Sequence, residues 1–119
     1  MSRQPSRLDD YLNHILEAIE RIEQYTEDMD EVAFLDRPLV QDAVIRNIEV
    51  IGEAANNIAK RYPEFAEAHS ELPLSFAYQM RNVIAHGYFK VDLEIVWRTI
   101  QVELPEFYLR AKAALNSAR

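Results

Sequence analysis

Met80-Arg81-Asn82-Val83-Ile84-Ala85-His86-Gly87-Tyr88-Phe89 gathers a cation, a titratable ring and a phenol at the end of a strongly apolar segment. At about 100° per residue, Phe76, Met80, Val83, Ile84 and Gly87 fall on one face of a helix, the spacing of a buried stripe. Arg81, Ala85 and, were the helix to run on, Tyr88 fall on the opposite face. The segment therefore reads as a helix with a core side and a chemical side. Arg81 supplies a planar, permanent positive fork suited to phosphate. His86 can give or take a proton near neutral pH, and Tyr88 offers a hydroxyl. This is the equipment of phosphodiester chemistry. His86 lies roughly 140° round an ideal helix from Arg81, so the two do not stack as an i, i+4 pair. Either the helix deforms or folds off at Gly87, or a second copy of the chain completes the site.

Working outward from that helix, the remaining segments are also helical. Leu8, Leu12, Ile15, Leu16, Ile19 and Ile22 recur at three and four, with Ser6 as a cap and Asp9 and Asp10 in the first turn, which predicts a helix over Arg7 to Tyr25. His14 lies off that stripe and reads as solvent-facing. Glu31 to Leu35 allows one helical turn, placing Phe34 and Leu35 on the core. Pro38 suits the first turn of a helix from Arg37 to Arg61, which stops before Pro63 restricts Tyr62.

In that long helix Val40, Ala43, Val44, Ile51, Ala54 and Ile58 form the expected buried stripe. Ile45, Gly52 and Ala59 form a second, narrower line. A mid-helix glycine costs about 1 kcal/mol relative to alanine, so Gly52 predicts close approach of another backbone, in this chain or a partner. Arg46, Glu53 and Asn57 form a polar side, read first as a solvated face and otherwise as support beside Arg81. Glu64 to Ala68 makes one short helix. His69 has no ligand partner at i+3 or i+4 and reads as a loop residue, and Pro73 suits the first turn of the helix that carries Arg81. Beyond Gly87, Asp92 caps a last helix with Leu93, Val96, Trp97, Ile100 and Leu104 inward. Pro105 predicts a kink near Glu103 or a break, with Phe107, Leu109 and Ala111 to Leu115 on the second part.

Composition narrows the function classes. With 119 residues the chain builds one core, so 1–119 is expected to be a single domain. Only 2 glycines and 5 prolines favour long helices, and the absence of cysteine excludes a disulfide scaffold and a thiol nucleophile, in keeping with a cytoplasmic setting. A formal charge of −7 argues against general nucleic-acid binding, so any RNA contact must be local. No apolar run suggests a leader or membrane span, and the acidic polar faces argue against a membrane surface. There is no glycine-rich phosphate loop, no His-Glu-x-x-His and no cysteine pair; neither a cofactor nor a metal is expected.

The Arg81-x4-His86-x-Tyr88 spacing, followed by Phe89-Lys90-Val91-Asp92, resembles the signature of the HEPN superfamily, and within it the small stand-alone HepT-like branch. Arg46-Asn47-Ile48-Glu49-Val50-Ile51-Gly52-Glu53-Ala54 is similar to that branch's second helix, so the resemblance covers nearly the whole chain. Together with the helical periodicity it implies an all-α fold, an antiparallel up-and-down bundle of four main helices plus short extra ones. It further implies a homodimer whose two motifs meet at the interface, acting on RNA as a metal-independent endonuclease. In that setting Arg81 and His86 are the catalytic pair and Asn82 supports them. The family context is a HepT/MntA-type, type VII-like toxin–antitoxin pair, in which a nucleotidyltransferase-fold antitoxin transfers AMP to the motif tyrosine, here Tyr88. The alternative is a non-catalytic HEPN module that binds a nucleotide or scaffolds its nucleotidyltransferase partner. Spacing alone favours a plainer picture: Arg81 paired with a surface carboxylate, His86 capping the helix end and Tyr88 packed beside Phe89. The resemblance reverses that preference.

Overall fold

Leu12, Ile15, Leu16, Ile19 and Ile22 are all buried along one side of the first helix, α1 (Arg7–Thr26), as their spacing requires. The helix closes at Thr26, whose hydroxyl donates to the carbonyl of Ile22 at 2.8 Å. The computed structural model describes residues 7–86 and 92–117, and for 82–86 the backbone alone. Ser6 and Gly87, read above as a helix cap and a helix stop, lie outside the described residues.

The short α2 (Glu31–Leu35) is capped by Asp30, whose carboxylate accepts from the Ala33 amide at 2.9 Å. One turn has one inward face, and Phe34 takes it. Phe34 is fully buried, with its ring centroid 5.3 Å from that of Trp97. Leu35, expected in the core, is instead exposed, because it stands about 100° further round.

Helix α3 (Pro38–Arg61) begins with proline at N1 and is the centre of the molecule, packed by α1 on one side and by α5 (Leu74–His86) on the other. That double packing widens its buried stripe beyond the expected one, adding Asn47, Ile48, Gly52 and Ala55, while Val40 and Ala43 are only half-buried. Ala59, on the expected small-residue line, is exposed. Asn47 is kept satisfied by donating to the Ala43 carbonyl at 2.9 Å and accepting from Arg21 of α1 at 3.4 Å. Tyr62, held out of the helical conformation before Pro63, ends α3 and opens α4 (Pro63–Ala68): its amide donates to Ile58 and its carbonyl accepts from Ala66. His69 follows, its ring stacked on Phe65 at 4.1 Å. Pro73 sits just before α5 rather than inside its first turn, and its carbonyl accepts from the Ala77 amide at 3.0 Å.

Asp92 caps α6 (Leu93–Arg98) by accepting from the amides of Glu94 and Ile95, as its position predicts. The interruption expected at Pro105 takes the form of a π-helical turn, Thr99–Glu103, leading into α7 (Leu104–Ser117). The wider turn makes room for a ring that would otherwise press on the carbonyl four residues back, and Pro105 is the second residue of α7. Leu104, Phe107, Ala111, Ala114 and Leu115 of α7 are buried, whereas Leu109 is 69% exposed. The result is an all-α antiparallel bundle, with no strand among the described residues.

Candidate functional site

Helices α3 and α5 meet at Gly52. A methyl group there would overlap the Cβ of Arg81 and come within 2.8 Å of the Ala77 carbonyl oxygen. The glycine is thus explained by a close approach within one chain: the stem of Arg81 lies against bare backbone, where no side chain could stand. From that seat the guanidinium turns to the next residue of α3, with Arg81 Nη2 3.2 Å from Glu53 Oε1. The Arg81 side chain is 33% exposed and that of Glu53 58%. A pair this wet contributes less than about 1 kcal/mol to stability. Its consequence is to hold a permanent cation in one orientation at the edge of solvent.

The edge is a cleft of about 520 Å³ between three helices. Its floor is the polar side of α3, where Arg46, Glu49, Glu53 and Asn57 alternate with Val50 and Ala54. Arg46 is itself close to Glu49, at 3.7 Å. Helix α1 supplies the opposite wall with Tyr11 and His14, whose rings meet edge to face at a centroid separation of 6.3 Å and an angle of 71°. Arg81 closes the α5 side.

The structure therefore brings Arg81 together with Arg46, Glu53 and Asn57, the group read first as a solvated face. Arg46 and Glu53 are exposed and Asn57 half-exposed, yet all three line the same cleft as the arginine, and Glu53 pairs with it. His14 is exposed, as expected, but faces the same cleft, which the reading of α1 missed. The available signal was the Tyr11-x2-His14 spacing, which sets two rings on one side of a helix. Asn82 and His86 belong to α5, which is α-helical without interruption through His86, so no deformation falls between Arg81 and His86. The side chains of Asn82 and His86 and the whole of Tyr88 lie outside the described residues. Arg81 does pair with a carboxylate, as the plainer picture had it, but that carboxylate lines a cleft.

Fold and site together define a small helical bundle with an arginine-bearing cleft on its central helix. The chain belongs to the HepT-like ribonuclease family, whose model, Ribonuclease HepT-like, matches residues 15–114. It is 44% identical over 96 residues to a Methanocaldococcus jannaschii protein whose name pairs a gamma-glutamylcyclotransferase with a candidate RNase. The match covers 81% of this chain and 42% of that relative, so the chain spans less than half of its length. A Thermococcus cleftensis protein named as a probable ribonuclease HepT is 41% identical over 96 residues, covering 81% of this chain and 84% of the relative. A candidate RNase of Caldanaerobacter subterraneus subsp. tengcongensis is 35% identical over 109 residues, covering 92% and 95%. Among solved structures, a tri-AMPylated HEPN toxin of Shewanella oneidensis in complex with MNT antitoxin superposes with a TM-score of 0.71 at 22% identity, over 98% of this chain and 100% of that one. That likeness establishes the shared fold. No described helix is long and apolar enough to cross a membrane.

Proposed function

We propose that this chain is a metal-independent RNA endonuclease, a cytoplasmic toxin held in check by a nucleotidyltransferase-fold antitoxin. The observation that carries the reading is the seat of Arg81, an arginine set over Gly52 at the edge of a cleft, within the stretch that the family match covers. In the reaction the ribose 2′-hydroxyl attacks the adjacent phosphorus while His86 accepts its proton. The P–O5′ bond breaks, leaving a 2′,3′-cyclic phosphate and a 5′-hydroxyl that takes a proton. Arg81 stabilises the charge that grows on the phosphoryl oxygens, and Asn82 supports the pair. Proton transfer contributes typically about 10² to 10⁴-fold, and fixed positive charge at the reacting group is often the larger effect.

Two further parts of the reading come from the family. A homodimer would set the Arg81-to-Tyr88 segments of two chains face to face, so that an Arg81 variant mixed with a His86 variant regains activity. Tyr88 would accept AMP from the antitoxin, adding a phosphodiester anion that competes for Arg81; intact-mass measurement after co-expression should show whole AMP increments that Tyr88→Phe abolishes. The single domain over 1–119 is part of the same proposal. The deciding experiment is digestion of RNA by purified protein in excess chelator. Cyclic-phosphate ends, absent with Arg81→Ala, support the reading. Activity that disappears in chelator and returns with magnesium or manganese overturns the mechanism, and a folded protein with no cleavage under any condition leaves the non-catalytic scaffold.

A further inference from the structure

We propose that the cleft beside Arg81 seats one nucleotide of single-stranded RNA, with the base against Tyr11 and His14 and the adjoining phosphate on Arg46. The inference rests on the ribonuclease reading and deepens it by naming how the strand is held. Helix α3 serves as a ruler. Arg46, Val50, Glu53 and Asn57 follow one another at three- and four-residue steps, so they share a face. Arg46 and Glu53 are separated by roughly 10 Å along the axis, and the Arg81 guanidinium stands at Glu53. Two cations thus mark two points along the cleft, and two long, partly exposed side chains can reach successive phosphates of an extended strand.

Between them the floor is apolar, Val50 and Ala54, and the facing wall is aromatic. Tyr11 is packed against the core and therefore fixed, whereas His14 is exposed and able to turn its ring toward an incoming base. A backbone-tracking cation beside an aromatic platform is the arrangement that binds single strands, because every base has a face to stack. A base inside a duplex is stacked on both faces by its neighbours, so the cleft selects unstacked, single-stranded RNA. Its volume, about 520 Å³, lies within the range of small-molecule sites and suits one nucleotide.

The two carboxylates fit the same picture. Glu53 and Glu49 hold Arg81 and Arg46 in place while the cleft is empty of substrate, through exposed pairs that are weak. A phosphate offers either guanidinium a stronger, bidentate partner. The acids also repel RNA that does not engage both arginines, which is how a chain of charge −7 makes one local contact with a polyanion.

The test measures binding of a fluorescent, single-stranded oligoribonucleotide with 2′-O-methyl groups throughout, by anisotropy on the full chain at several salt concentrations. The blocked 2′ position prevents cleavage, so the result does not depend on catalysis. Tyr11→Leu and His14→Ala should each weaken Kd by roughly 5- to 150-fold with the salt slope unchanged. Tyr11→Phe, which keeps the ring, should bind as the parent does, and circular dichroism checks that each variant is folded. Arg46→Gln should lower the slope of log Kd against log salt by about 0.7, whereas Lys60→Gln, at the far end of α3, should leave it unchanged. Failure of the parent to bind, aromatic variants within twofold of the parent, or equal effects of Lys60→Gln and Arg46→Gln would each overturn the subsite. A parent that binds with these signatures yet leaves unmodified RNA intact overturns the ribonuclease reading and not the subsite.

Discussion

The two sides of α3 are built on opposite principles. Toward α1 the seam is volume: fully buried Leu12, Ile15, Ile19 and Ile22 line that helix, and Asn47 of α3 meets Arg21 of α1 in a polar joint. Toward α5 the seam narrows at Gly52 until backbone and the root of Arg81 nearly touch, and a charged pair sits on its rim. Burial of each large aliphatic side chain contributes about 1.5–3 kcal/mol, so the α1 side carries stability. The α5 side places a charge. The difference teaches that a cation at the rim of a cleft in a small bundle is positioned by removing a side chain beneath it, and that little stability rides on the cation itself.

The sharpest way to break this contrast is to cut both seams and compare. Ile19→Ala, at a fully buried position on the α1 side, should cost about 2–5 kcal/mol in urea unfolding, while the folded fraction keeps its RNA-cleaving activity per molecule. Arg81→Ala should do the reverse. Cleavage should fall by about 10² to 10³-fold, the usual loss for one group that stabilises developing charge, with stability within about 1 kcal/mol of the parent. Equal destabilisation by the two variants would erase the distinction.

Gly52→Ala addresses the narrow seam directly. Alanine gains about 1 kcal/mol in helix propensity, but overpacking typically costs about 1–3 kcal/mol, and the atoms it meets first, the Cβ of Arg81 and the Ala77 carbonyl oxygen, are fixed by the backbone and cannot rotate away. A net loss of up to about 2 kcal/mol is expected by thermal or urea unfolding, together with a lowered cleavage rate as Arg81 is pushed off its seat. A variant more stable than the parent would mean that α5 does not pack so closely on α3.

The smallest effect belongs to a third contact, between α1 and α7. Tyr108 donates its hydroxyl to Glu20 at 2.7 Å. That hydrogen bond, then the loss of solvation, then the charges of Glu20 and Glu23, raise its pKa above the ordinary value of 10.0. A raised folded value means the neutral phenol is favoured by folding, so the contribution is fully present below pH 10.0 and is lost as pH climbs through the raised value. Unfolding midpoints measured across about pH 10 should show a small alkaline decline that Tyr108→Phe flattens. An unchanged decline in that variant would assign it to other groups.

What the amino-acid order determined by itself was the set of elements and their ends. Apolar spacing at three and four, the Asp92 cap, the stop at Tyr62-Pro63 and the disturbance at Pro105 all act through neighbours within a turn or two, so they are legible along the chain. Gly52 was legible for the same reason, as a local cost in helix propensity that needed a return. Which outward positions would be covered was not legible. Leu35 and Leu109 have core chemistry, yet both are exposed. The cleft is the clearest case. Tyr11, His14, Arg46, Asn57 and Arg81 come from three helices, and each alone looks like an ordinary polar or half-buried surface residue. Only the packing of α1 and α5 on the same central helix makes them one place, since proximity across a bundle is a property of how the helices pack and leaves no period in the sequence.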